Sequence, residues 1–128
     1  MKSKVSYRER VGEQPVTTGG SERAGNLEIR TAEDGSVVIL LRGRVDIGYA
    51  VELRQLVVRT VRRVRPSRLV VDLTEVVALD PINVGTLAAA CALGDDHHVL
   101  VFYVNPGREL TIRLGLAGVP RQRLRHER

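Results

Sequence analysis

The stretch RLVVDLTEVVALDPINVGTL, Arg68 to Leu87, decides the fold. Its first nine residues are a short apolar run rich in Val and Leu, the pattern of a strand covered on both faces. The apolar residues stop at Asp80 and a proline follows. From Asn83 the text NVGTLAAACALG reads as a small-residue helix closed by Gly94. HVLVFYV, His98 to Val104, then supplies another covered strand. A strand, a helix and a strand in that order make the crossover unit of a parallel sheet.

Working outward, VVILLRG (Val37 to Gly43) is a further apolar strand, and LEIRTA before it alternates as a half-exposed strand does. Between them EDGS carries the Asp-Gly pair that favours a tight hairpin. Past Gly43 the period changes. Ala50, Leu53, Val57, Val61 and Val64 recur at three and four residues, which predicts an amphipathic helix capped by Asp46 and stopped by Pro66. PGRELTIRLGLAGV is a last helical segment. The expected fold is α/β, a mixed and mainly parallel sheet of four to five strands with helices packed on it. Residues 1–26 lack any sustained apolar period and are expected to be a flexible leader. The folded unit is expected over 27–119, with a basic tail at 120–128 that frays unless Leu124 docks.

At 128 residues and 43% hydrophobic, the chain has the make-up of one globular domain. The formal charge of +5 suggests nucleic acid until the arginines are located. Arg59, Arg62, Arg63 and Arg65 fall on one helix and Arg121, Arg123, Arg125 and Arg128 on the tail, with acids among the rest, and aromatic stacking platforms are scarce. Nucleic acid is therefore not an expected partner. Cys91 stands alone among small apolar neighbours, which predicts a buried structural thiol and no intramolecular disulfide. The N-terminus has no apolar signal region, and no segment approaches the roughly 18 apolar residues of a membrane span. A cytoplasmic protein without membrane insertion is expected.

The corner LDPIN has its own physics. Asp80 is suited to cap a helix through its carboxylate, and Pro81 fits the first helical position because its missing N–H would have been unpaired there. Such a start presents free amides and the positive end of a helix dipole beyond the carboxyl end of a strand, where ligands of open α/β sheets sit. Elsewhere, GDDHH (Gly94 to His98) holds metal-ligand types, but adjacent residues on an extended segment point apart, so it reads as polar punctuation. No phosphate-binding glycine loop occurs, and no Ser, Cys or His set suggests a nucleophile. Neither catalysis, a metal nor a cofactor is expected.

Residues Leu27 to about Val119 resemble the STAS domain, in particular bacterial anti-sigma factor antagonists. The resemblance lies in LRGRVD (Leu41 to Asp46), RLVVDLTEV (Arg68 to Val76), LDPINVG (Leu79 to Gly85) and VNPGRELTIRLGLAGV (Val104 to Val119), in the family's order and spacing. It implies a regulatory protein, monomer or homodimer, that binds an anti-sigma factor, usually a histidine-kinase-like ATPase, and so releases a sigma factor. In the family that kinase phosphorylates a Ser or Thr in the corner and ends the contact. An alternative within the family is an assembly subunit of a signalling or lipid-transport complex. The resemblance implies a partner surface at Asp46, Asp80, Pro81, Ile82, Asn83 and Gly85. The family's corner typically reads Asp-Ser-Ser-Gly-Leu-Gly. Here Asp80 and Gly85 match its ends, Pro81 and Ile82 replace the hydroxyl residues and Asn83 replaces the first Gly. Ile82 has no oxygen to phosphorylate, which leaves Thr74 and Thr86 as the neighbouring hydroxyls.

Overall fold

The alternation of apolar runs and helical periods becomes a five-stranded sheet backed by three helices. The computed structural model describes residues 26–127, so the expected leader, apart from Asn26, and Arg128 lie outside the described residues. The strands are β1 (Asn26–Thr31), β2 (Val37–Val45), β3 (Arg68–Leu79), β4 (Leu100–Val104) and β5 (Leu124–Arg125). The helices are α1 (Ala50–Arg59), α2 (Pro81–Asp96) and α3 (Gly107–Leu116). The strands lie side by side in sequence order, β1 antiparallel to β2 and the rest parallel. This is the mixed, mainly parallel class that the sequence predicts.

The hairpin turns where Asp-Gly placed it. Gly35 takes a φ of 90°, which favours glycine, and the Asp34 carboxylate accepts from the Ser36 amide at 2.9 Å and from its hydroxyl.

The register divides the sheet into two unlike faces. Leu27 and Ile29 stand level with Leu41 and Ile39, Ile39 with Val71, and Val71 with Tyr103. All of these are buried, and they share one core cluster with Leu53 and Val57 of α1, Val84, Leu87 and Cys91 of α2, and Leu110 and Leu114 of α3. The helices therefore cover one face. The expectation of strands covered on both faces is corrected in part: Val38, Val70, Phe102 and Val104 point the other way and are only half-buried, while Leu40 on that side is buried. Their apolar character extended the runs, although no helix of the described residues packs on that side.

Three helix ends also differ from expectation. Asp46 caps a 3-10 turn, Ile47–Tyr49, which leads into α1. After Arg59 the helix widens to π geometry over Thr60–Val64 and ends at Arg65 with a φ of 51°. The extra residue in the turn carries Val64 off the core stripe, so it is exposed, while Thr60, bonded to the Leu56 carbonyl, is buried. At the third end, α2 runs past Gly94 to Asp96. Gly94 is a contact point rather than a stop, because a Cβ there would lie 2.5 Å from the Val99 carbonyl oxygen and 2.7 Å from Val101 Cγ2. Gly94→Ala is accordingly expected to destabilise the fold even though alanine is the better helix former. Overpacking against backbone costs about 1–3 kcal/mol, against a propensity gain of about 1 kcal/mol. Thermal unfolding of the variant checks the sign.

The tail docks in part. Leu124 pairs with Tyr103 and packs on the core, and Arg123 donates to Asp95 at 3.0 Å, to the Val101 carbonyl at 3.3 Å and to the Cys91 sulfur at 3.5 Å. Cys91 is a buried free thiol, as predicted, and burial raises its pKa.

Candidate functional site

The site is built where β2 and β3 end together. Val45 and Leu79 are partners in register, so Asp46 and Asp80 follow side by side at the carboxyl ends of two parallel strands. Each begins a helical segment and each caps it with its own carboxylate. Asp46 Oδ1 accepts from the Gly48 amide at 2.9 Å, and Asp80 Oδ1 accepts from the Ile82 amide at 3.0 Å. The Asp80 carbonyl takes the Asn83 and Val84 amides, and Pro81 fills the first helical position, where no amide is needed.

The two caps throw out two apolar side chains. Ile47, one residue after Asp46, is 63% exposed, and Ile82, two residues after Asp80, is 51% exposed. Val51 in the first turn of α1 is likewise exposed. The corner is thus an apolar surface edged by two carboxylates whose orientation is fixed by their own backbone.

Asn83 corrects the sequence reading, which placed it on the surface beside Ile82. It is fully buried. Its Nδ2 donates to the Val45 carbonyl at 3.1 Å and the Asp46 carbonyl at 2.9 Å, while the Asp80 amide also donates to Val45 at 3.1 Å. One side chain therefore ties the start of α2 to the end of β2. Ile47, which the sequence reading did not single out, joins the site by this juxtaposition. Its signal was the repetition of an Asp cap followed by isoleucine at the ends of two apolar runs.

The remaining candidates are placed as follows. Gly85 is exposed on α2 with open space where a Cβ would stand. The Thr86 hydroxyl donates to the Ile82 carbonyl at 3.3 Å. Thr74 is exposed on β3; its hydroxyl donates to Asp72 at 2.6 Å and accepts from Asn105 at 3.0 Å. Arg113 of α3 reaches the corner from the other side, donating to the Leu79 carbonyl at 3.2 Å. Among the described residues no three His, Cys, Asp or Glu side chains converge on a metal position, and no helix is long and apolar enough to cross a membrane.

No protein-family model and no curated protein matches the chain. Solved structures do. The Bacillus cell-fate determinant SpoIIAA in its phosphorylated form superposes with a TM-score of 0.70 at 13% identity, over 80% of this chain and 91% of that one. An anti-sigma factor antagonist from Mycobacterium paratuberculosis superposes with a TM-score of 0.59 at 28% identity, over 79% and 85%. The murine anion transporter Slc26a9 gives 0.53 at 15% identity, over 75% of this chain but 18% of the transporter. The fold is that of the STAS domain, and the resemblance to anti-sigma factor antagonists read from the four sequence stretches is met in three dimensions.

Proposed function

We propose that this STAS-fold chain is a regulatory binding module of the anti-sigma factor antagonist type, with a corner that the usual phosphate switch cannot reach. Its partner is an anti-sigma factor, a histidine-kinase-like ATPase, which it occupies so that a sigma factor is released in the cytoplasm of a bacterium. The observation that carries this reading is Ile82, half-exposed on a capped helix start at the position where the resemblance puts the phosphoacceptor.

A phosphate at such a corner adds about −1.5 to −2 charge and repels an apolar or acidic contact surface. An isoleucine keeps the surface permanently in the unmodified, apolar state. Ile82, Ile47 and Val51 supply the buried contact, and Asp46, Asp80 and Pro81 hold it in place. Gly85 leaves room for close approach, and Asn83 acts from beneath. The module works by occupancy and carries out no chemistry of its own. The alternative reading, an assembly subunit of a signalling or lipid-transport complex, draws on the transporter likeness, which at 15% identity speaks for the fold alone.

The test is affinity capture of the full chain from its host's lysate with and without Mg-ATP, followed by mass spectrometry of bait and captured proteins. Recovery of a histidine-kinase-like ATPase with an unmodified bait is the expected result. A phosphate on Thr74 or Thr86 would restore a relocated switch, and recovery of membrane-complex subunits alone would overturn the antagonist reading.

A further inference from the structure

The second face of the sheet carries an inference that does not depend on the corner. Register places Val38 level with Val70 and Val70 level with Phe102, while Leu40 and Val104 flank Asp72. These five apolar side chains form a flat strip across three strands, Leu40 buried and the other four half-buried, and none of them belongs to the core cluster under the helices. Adjacent strands lie about 4.8 Å apart, so the strip is wide enough for one polypeptide segment to lie on it.

The charges at its ends are not alike. Toward β1, Glu28 pairs with Arg30 and Arg42 at 3.0 Å each, and Arg42 reaches Glu75 at 3.5 Å, so that end is internally matched. Burial alone would raise the Glu28 carboxyl, yet these guanidiniums hold it below the ordinary carboxylate range. Toward β5, Arg125 and Arg68 stack over Phe102, 4.5 and 5.8 Å from the ring centroid, and neither makes an ion pair among the described residues. Arg123, at 5.9 Å, spends its charge on Asp95. Asp72, the acid on the strip, is held by the Thr74 amide and hydroxyl. The surface is thus an apolar floor with two exposed guanidiniums converging on one ring, Arg125 and Arg68, of which Arg68 also faces the field of the Asp34 carboxylate.

We infer that this face docks an acidic amphipathic segment of a second protein partner, its apolar residues on Val38, Val70 and Phe102 and its carboxylates on Arg68 and Arg125. Charge selects that occupant. A second copy would bring the same two arginines against themselves. The chain's own residues 1–25 carry Lys2, Lys4, Arg8, Arg10 and Arg23 against Glu9, Glu13 and Glu22, an excess of the wrong sign. An anionic membrane favours side chains that protrude, and here Phe102 is half-buried beneath its arginines. A carboxylate meeting stacked arginines is a charge-assisted contact, and a segment laid on the strip would give the sheet a second layer, which the described residues do not supply.

The experiment uses the full chain and a synthetic amphipathic peptide with a leucine stripe flanked by glutamates, its twin carrying lysine at each glutamate. Amide chemical-shift mapping is expected to show the glutamate peptide moving signals of β2, β3 and β4 around Val38, Val70 and Phe102. Arg68→Glu combined with Arg125→Glu is expected to weaken binding about a hundredfold, and added salt to weaken it further. Both arginines are exposed, and unfolding curves of the double variant matched to the parent confirm that the fold is kept. Equal binding of the lysine twin, shifts confined to Ile47 and Ile82, or no shifts would overturn the inference. So would binding to phosphatidylglycerol vesicles in place of the peptide, or contacts from Tyr7 to Phe102 in the chain alone.

Discussion

Ile82→Glu is expected to abolish capture of the proposed ATPase partner, lowering affinity by about a hundredfold or more, with the fold intact. Stability and binding respond to this change in opposite directions. Ile82 is 51% exposed and stands outside the core cluster, so the substitution removes little buried surface. A carboxylate in the first turn of α2 also sits at the favourable end of the helix dipole, a gain of about 0.3–1 kcal/mol. The unfolding midpoint should therefore hold or rise slightly. Binding moves the other way, because the same carboxylate must be desolvated against the apolar surface that received isoleucine. A hundredfold is about 2.7 kcal/mol, within the several kcal/mol that an unpaired buried charge costs. Ile47→Glu, the equivalent change on the neighbouring cap, should act in the same direction. Ile82→Ser gives the complementary readout. If the partner is a kinase that still engages the corner, Mg-ATP should place phosphate on the residue at 82 and release the complex. Full retention of the partner by both Glu variants would remove the corner from the interface.

The fold was legible because its punctuation was local. Asp34-Gly35 marks a turn, Pro66 and Pro81 bound their elements, and apolar periods of different length separate strand from helix. What could not be read was layering. A run such as VVILL looks the same whether both faces meet helices or one meets water, and only the register of Val38, Val70 and Phe102 on one plane revealed the difference. The exit of α1 was hidden for a related reason. A continued 3.6-residue period predicts Val64 inside, and the π turn that displaces it has no signature in TVRRV.

The corner was legible in its caps and misread in its middle. Asp80 and Pro81 act through rules confined to a few residues, so they could be assigned from sequence. The resemblance puts Asn83 on the partner surface, because it stands where the family's corner has its first Gly. Its position said otherwise. Asn83, Leu87, Ala90, Cys91 and Gly94 follow the three- and four-residue spacing of a buried stripe, and every one of them is buried. A polar residue on such a stripe signals a buried hydrogen bond, but its acceptors lie at the end of another strand and just past it, 38 and 37 residues away, where sequence spacing gives no guide.

That placement makes Asn83→Asp a strongly damaging change despite its near-identical shape. The side chain is fully buried and both Nδ2 hydrogens are used on carbonyl oxygens of Val45 and Asp46. Aspartate would put one oxygen in place of Nδ2, against both carbonyls, and bury a charge without a cation. The N-terminal dipole of α2 returns about 0.3–1 kcal/mol, less than the loss of about 3–5 kcal/mol for an uncompensated buried charge. At about 4–8 °C per kcal/mol for a domain near this size, the midpoint should fall by more than about 10 °C at neutral pH. The sign with pH is fixed by the same burial. A carboxyl in that position has its folded pKa raised above the unfolded value of about 3.9, so the variant is least impaired below the unfolded pKa. It loses stability as pH rises through the folded pKa, once the proton that served one carbonyl is gone. Asn83→Ala should cost less, about 1–3 kcal/mol, because Val45 and Asp46 keep the backbone amides of Asp80 and Tyr49. Its cost should not vary with pH. Unfolding curves of both variants across the acid range decide the matter, and an aspartate variant as stable as the parent at neutral pH would show that the residue is not sealed. Because Asn83 ties both caps together while touching no solvent, its alanine variant should also weaken partner capture, and that loss would mark the corner as one rigid unit.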